Sequence, residues 1–316
     1  MHPILFEIGP ITIYMFGVMV ATGFLVGGSW IAATAEKAGF DRQQIWNLNL
    51  LVLGSVLVGG RLMYFIVELF RTDYYFKNPL EIFKIWQGGL VFYGGFILTF
   101  LTVVWYGRRH RFPMLRLCDV YAAGGFLGEA FGRWGCFFMG DDYGKPAPGL
   151  PWAVVFTDER SAVPTNLRGV PLHPTQLYLS ALALSIFLVG RWLWRRKGRF
   201  DGQVTAAALM MYATGRSIVE LFRGDADRGF VLSSPFHLST SQFISIWGFG
   251  LGVFIWWWGH KRPPLEWPPK PAAAAAVPPD GAAAAGAGAT VTAAAAPAGK
   301  EVGGSGAGEP AKAESA

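Results

Sequence analysis

Charge is sparse in this chain: 15% of its 316 residues are Asp, Glu, Lys or Arg, against 52% hydrophobic, and the mean hydropathy is +0.34. Apolar runs long enough to cross a bilayer recur along it, so the composition points to a polytopic membrane protein. Cysteine is almost absent. Cys118 and Cys136 stand at opposite ends of one expected helix, about 27 Å apart at 1.5 Å per residue, which excludes a disulfide between them. The five histidines are scattered, with no spaced His, Cys or carboxylate pair, so no metal site is expected. No internal repeat is visible, which weighs against inverted-repeat transporter folds. Met1-His2-Pro3 lacks a basic region and a small-residue cleavage site, so the first helix is expected to be retained. The net charge of +6, from 27 basic and 21 acidic residues, does not point to nucleic acid. The basic residues cluster in short connections, where they report orientation.

Apolar sequence is abundant. Seven spans are expected, at about 12–33, 46–69, 86–107, 116–138, 174–194, 203–222 and 240–259, and the fold class is an all-α integral membrane protein. Lys37 and Arg42 separate the first two spans. Arg108, Arg109, Arg111 and Arg116 fill the third connection, Arg195, Arg196, Lys197 and Arg199 the fifth, and Lys261 and Arg262 follow the last span. Alternate connections are long or mixed in sign, with Lys77 beside Asp73 and Glu81, and Arg223 and Arg228 beside Asp225 and Asp227. The positive-inside rule then puts the N-terminus outside and the C-terminus in the cytoplasm. The Pro- and Gly-rich loop 141–172, with its apolar patch Pro151-Trp152-Ala153-Val154-Val155-Phe156, falls on the extracytoplasmic side. Residues 1–262 are expected to form a transmembrane catalytic domain. Residues 263–316, rich in Pro, Ala and Gly, are expected to be a disordered cytoplasmic tail. Trp192, Trp194 and the run Trp256-Trp257-Trp258 read as interfacial belts.

The rest is organised around Gly132-Arg133-Trp134-Gly135-Cys136-Phe137-Phe138-Met139-Gly140-Asp141-Asp142-Tyr143-Gly144. It sets an arginine and then two carboxylates at the end of a long apolar run, and intramembrane charge defaults to a functional reading. Gly124, Gly128 and Gly132 recur on one helix face, which allows another helix to approach closely beside Arg133. Glu129, one turn earlier, can pair with that arginine. Counted from the cytoplasmic starts of their spans, Arg61, Arg133 and Arg216 lie about 22, 26 and 20 Å up. All three fall in the outer half, and Tyr93 and Glu220 meet the same layer. Uncompensated, each arginine costs about 2.5 to 3.5 kcal/mol on insertion scales. Glu220, Glu129 and Glu68 supply part of the compensation, but three guanidinium groups suit a phosphodiester, which accepts bidentate donors from several directions. An outer-leaflet phospholipid head group is the expected ligand.

These residues resemble the signature of bacterial prolipoprotein diacylglyceryl transferases, whose usual form is G-R-x-G-N-F-x-N-x-E-x-x-G. Ile8-Gly9-Pro10, Gly59-Gly60-Arg61 and Trp86-Gln87-Gly88-Gly89-Leu90-Val91-Phe92-Tyr93-Gly94-Gly95 agree with the family in order and spacing. His173-Pro174-Thr175-Gln176-Leu177-Tyr178 resembles its H-P-S-Q-L-Y, and Tyr212, Arg216, Glu220, Phe222 and Arg223 its sixth-span pattern. The resemblance covers about residues 4–262, and five motifs in order beside the signature make it specific.

It implies transfer of the diacylglyceryl group of phosphatidylglycerol to the lipobox cysteine thiol of a prolipoprotein. A thioether forms, glycerol phosphate leaves, and no cofactor is used. The implied partners are phosphatidylglycerol, prolipoprotein signal peptides and membrane lipid, and the implied location is the bacterial plasma (inner) membrane. Arg133 and Arg216 match the family's essential arginines, Arg133 as a phosphatidylglycerol ligand, with Tyr212, Glu220 and Gly144 at its neighbouring functional positions. Asp141 replaces a signature Glu, Cys136 an Asn, and Phe16 a Tyr. Tyr93 stands where better-known members carry a histidine proposed as general base. A phenol is a poor base at neutral pH, so Tyr93 reads as a hydrogen-bond donor to the lipid head group or a phenolate beside a guanidinium. Glu220 or Asp141 is then available to take the proton, with Glu220 also placed to orient Arg216. His173 is a ligand or an interfacial helix-start residue, and Arg61 a ligand or a structural charge. The competing function is a non-catalytic anionic-phospholipid or phosphate binding or transport protein, or an inactive paralogue, using the same arginines without chemistry.

Overall fold

The computed structural model describes residues 3–9, 11–70, 89, 91–196, 199–225, 230–232 and 238–262, all within the first of the chain's two units, Met1–Lys270. Among them are seven helices: α1 Met15–Lys37, α2 Arg42–Leu69, α3 Phe92–Arg109, α4 Met114–Met139, α5 Thr175–Arg195, α6 Gln203–Glu220 and α7 Thr240–His260. Each coincides with an expected span to within a few residues, α3 starting furthest from its expected position. Pro10, Trp86 to Gly88, Leu90, the acidic and basic residues of the 71–88 connection, Lys197, Asp227, Arg228 and the 263–316 tail lie outside the described residues. Three helices, α1, α2 and α5, are long and apolar enough to cross a membrane, with mean hydropathies of 1.7, 2.1 and 1.6. The others are shorter, rich in Gly and Trp, or interrupted by charge, as α4 is by Arg116, Asp119, Glu129 and Arg133.

Local chemistry sets the helix ends. Asp41 starts α2 by accepting the Gln44 N–H at 2.7 Å. Ser239 and Gln242 cap α7 reciprocally. Pro113 and Pro174 precede α4 and α5, where a missing N–H costs nothing. The first helix starts three residues later than the apolar run suggests, because Ile11–Tyr14 (β2) is β-branched and aromatic and pairs antiparallel with Ile4–Ile8 (β1). Two further hairpins join Val154–Val155 (β3) to Pro171–Leu172 (β4) and Phe230–Leu232 (β5) to Leu238–Ser239 (β6).

Helix α4 is the hub, packing on α1, α5 and α6, while α2 packs chiefly on α3. The close approach expected at the glycine face is made by α1: a Cβ at Gly27 would lie 2.7 Å from the Gly124 carbonyl oxygen, and one at Gly128 would lie 2.9 Å from that of Gly23. Gly132 takes no part, its Cβ direction being open. The next close approach is made by Gly135, where a Cβ would lie 3.2 Å from the Phe16 carbonyl oxygen and 3.3 Å from the Met19 Cβ. Asn49 ties three helices together, donating to Gly28 O at 3.3 Å and accepting from the Tyr121 hydroxyl at 2.8 Å. Outward faces are apolar, with Phe96, Phe100, Trp105, Val58, Ile246 and Trp247 exposed, a surface suited to lipid.

The basic end of the bundle is clasped. Asp119, fully buried on α4, accepts N–H groups of Gly202 and Thr205 and the Thr205 hydroxyl, each at 2.8 Å, and so caps α6 from another helix. Arg116 grips Asp201 with two bonds of 2.9 and 3.0 Å. Around it Arg196 lies over Trp192, Arg199 over Trp194, Lys261 over Trp257 and Arg262 over Trp258, at 3.9, 3.8, 3.8 and 3.4 Å from the ring centroids.

Candidate active site

At the opposite end, α4 stops where Gly140 turns left-handed (φ +78°), with the N–H groups of Gly140 and Asp141 both donating to Cys136 O at 2.8 and 3.1 Å. Asp142 follows in the same region (φ +54°), which aspartate tolerates better than most side chains. The turn is pinned by the first residues of α5: Thr175 Oγ1 donates to Asp142 O at 2.5 Å and Gln176 Nε2 to Asp141 O at 2.6 Å. Tyr143 to Pro146 then run between two other segments. Lys145 N–H donates to Phe222 O at 2.8 Å, Gly224 N–H to Tyr143 O at 3.1 Å, and His173 N–H to Lys145 O at 3.0 Å. Only glycine fits at 144, since a Cβ there would lie 2.6 Å from that of His173. Beneath the loop Phe137, Phe156, Val163 and Leu172 form a small core.

This scaffold gathers charge. Arg133 gives Nε and Nη2 to Glu129 Oε1 at 3.1 and 2.9 Å, and Nη1 to Asp142 Oδ2 at 2.7 Å. Asp142 Oδ1 accepts from Arg223 Nη2 at 2.5 Å, and Arg223 also holds Asp225 through Nε at 2.8 Å. On α6, buried Arg216 pairs with Glu220 one turn on and reaches Ser241 Oγ of α7 at 2.9 Å. Tyr212, one turn before Arg216, has Glu129, Arg133, Arg216 and Asp142 as its charged neighbours and packs its ring on Phe126 at 5.3 Å. The two arginines therefore face one region across Tyr212. Partial burial and the adjacent Asp142 carboxylate push the Asp141 carboxyl above its ordinary value. Burial opposes the charge on Arg223, but Asp225 and Asp142 more than offset it and hold the guanidinium protonated.

Of the residues singled out in the sequence, Arg133, Arg216, Glu220, Tyr212 and Asp141 converge here, with Gly144 and His173 in the adjoining loop. The His173 ring lies 5.1 Å from that of Phe222 and its Nδ1 is 3.2 Å from the Tyr178 hydroxyl. Phe16 sits against the Gly135 backbone position. Tyr93 and Arg61 belong to the α2–α3 pair instead. Tyr93 is half-exposed with its ring on Phe92, and Arg61 is buried, donating to Gly89 O at 3.3 Å with its guanidinium 5.4 Å from the Tyr64 ring. No hydrogen bond, ion pair or ring contact among the described residues links Tyr93 to Arg133 or Arg216. The pairing of Arg133 with Glu129 follows from their spacing. The Asp142 bridge does not, because Arg223 is 81 positions away and is brought alongside by the Gly144–Arg223 strand bridge and its flanking backbone bonds.

A family model described as prolipoprotein diacylglyceryl transferase matches residues 3–258. Among similar curated proteins, the phosphatidylglycerol–prolipoprotein diacylglyceryl transferase of Clostridium tetani is 36% identical over 257 residues, covering 81% of this chain and 96% of that protein. The protein of the same name from Pseudomonas putida F1 is 34% identical over 83% of this chain and 95% of its own length, and that from Rhodospirillum centenum 34% over 80% and 90%. With a match of that length running through the helices and loops that assemble the arginine cluster, the chain belongs to the prolipoprotein diacylglyceryl transferase family.

Proposed function

We propose that this protein transfers the diacylglyceryl group of phosphatidylglycerol to the lipobox cysteine of prolipoproteins in the bacterial inner membrane. The observation that carries the reading is the pair Arg133, half-buried on α4, and Arg216, buried on α6, both charged neighbours of Tyr212, in a family of that activity. The cysteine sulfur attacks the glycerol carbon that bears the phosphate. A C–S bond forms, the C–O bond breaks with its electrons on oxygen, and glycerol phosphate leaves as an anion. Arg133 and Arg216 stabilise the charge that grows on that oxygen through preorganised donors. Glu220 orients Arg216, and Asp141, whose carboxyl is held above its ordinary value, is the group best matched to take the thiol proton. His173, Gly144, Tyr212 and Arg61 shape or bind the lipid, and Tyr93 donates a hydrogen bond to its head group.

The finer organisation belongs to the same reading: seven spans, N-terminus outside, C-terminus cytoplasmic, residues 1–262 catalytic and 263–316 a tail without a catalytic part. Its support is the clustering of basic residues in alternate connections. Wild-type membranes incubated with phosphatidylglycerol and a lipobox peptide should yield the thioether-linked diacylglyceryl peptide. Binding of the lipid with no such product would favour a non-catalytic lipid-binding protein.

A further inference from the structure

All three nitrogens of the Arg133 guanidinium are committed to carboxylate oxygens, two to Glu129 and one to Asp142. Three of its five N–H donors are thereby engaged, so a lipid phosphate that comes to this arginine arrives beside two carboxylates and binds it more fully if one of them gives way. The two holders are unequal. Glu129 sits one turn away on the same helix and engages a two-nitrogen edge, whereas Asp142 engages Nη1 alone and has a second cation, Arg223, already in contact through its other oxygen. Asp142 is also partly accessible, with 23% of its side chain exposed. Its backbone does not need to move, because the turn is fixed by Thr175 and Gln176.

We propose that Asp142 is a resident counter-ion that keeps the phosphate seat on Arg133 filled and gives it up to the incoming phosphodiester, staying paired with Arg223. The carboxylate oxygen at 2.7 Å stands where a non-bridging phosphate oxygen binds. Asp142 therefore sets the affinity for anionic lipid without touching the reacting carbon. It also keeps the half-buried Arg133 charge compensated from a second side between turnovers. The inference rests on the transferase reading only for the identity of the ligand.

Asp142→Asn keeps the shape and removes the charge. In full-length protein in phosphatidylcholine nanodiscs, titration with phosphatidylglycerol followed by tryptophan fluorescence should show about tenfold tighter binding than wild type, on the scale of one relieved charge repulsion. Diacylglycerol, which has no phosphate, should bind both proteins alike, and Asp142→Glu should stay at or above the wild-type dissociation constant. With a lipobox peptide, KM for phosphatidylglycerol should fall by a similar factor while kcat does not rise. Unchanged or weaker phosphatidylglycerol binding by Asp142→Asn would overturn the proposal and leave Asp142 a structural tie. If Asp142→Asn fails to insert, Asp142→Ser carries the same comparison. Tighter binding with no turnover by wild type would uphold the counter-ion and reject the transferase reading. Turnover with no change in KM or binding would do the reverse.

Discussion

Arg133→Ala and Arg216→Ala are each expected to lower transfer by about a thousandfold, the upper range for one donor to a developing oxyanion. Lysine should rescue neither fully, because an ammonium lacks the planar fork that holds both carboxylate and phosphate. Turnover of lipobox peptide by each purified variant checks this. For Asp141 the sign follows from its raised carboxyl value. A proton acceptor of that kind loses activity as pH falls through its folded value, so Asp141→Asn should remove that acidic limb along with about a hundredfold or more of the rate. In stability the same shift is favourable below the ordinary aspartate value near 4 and is lost as pH rises through the folded value. Thermal unfolding of Asp141→Asn should accordingly lack that loss. Tyr93→Phe should cost about ten- to a hundredfold, one hydrogen bond to a charged partner, with the pH–rate profile unchanged. A profile that flattens toward alkaline pH would instead make Tyr93 a phenolate base. At this scale the sequence revealed the arginines because charge in an apolar run is conspicuous. Asp142 was hidden, since nothing local distinguishes which of two adjacent carboxylates turns inward; the left-handed backbone at 142 decides it.

Among the helices, α1 against α4 is the contact most sensitive to one added side chain. Gly27→Leu would push atoms into the Gly124 carbonyl, 2.7 Å from the first of them, and should lower the melting temperature sharply, at a cost of about 1 to 3 kcal/mol or more. Gly132→Leu on the same stripe should be tolerated, since nothing faces it. Asp119→Ala, which strands the α6 cap of Gly202 and Thr205, should cost about 3 kcal/mol in reversible unfolding. The elements were largely legible because apolar length and flanking Pro, Asp and Ser are local signals. The α1 partner of the glycine stripe and the trans cap by Asp119 were not, since each depends on which surfaces meet. Residues 12–14 of β2 fall within the expected first span because Ile and Tyr are apolar in either state, and pairing with Ile4–Ile8 selects the strand.

On the scale of the molecule, removing residues after Pro264 should leave turnover and insertion within about twofold of wild type, because the lost segment has no apolar face to add to a core. A larger loss in the shortened protein would mean that the segment docks. Reporter fusions at the N-terminus and after Lys261 should report opposite sides of the membrane. The indole–cation pairs at the basic end carry a further consequence. In the proposed membrane placement, Trp192, Trp194, Trp257 and Trp258, each topped by an arginine or lysine, would act as a waterline marked on one side of the hull only. From that mark α4 rises as a rigid ruler, about 28 Å from Met114 to Arg133, whatever the thickness of the sea it crosses. A thicker bilayer lifts the far phosphates above the arginine and a thinner one sinks them below it, so turnover should peak at one acyl-chain length and decline on both sides of it.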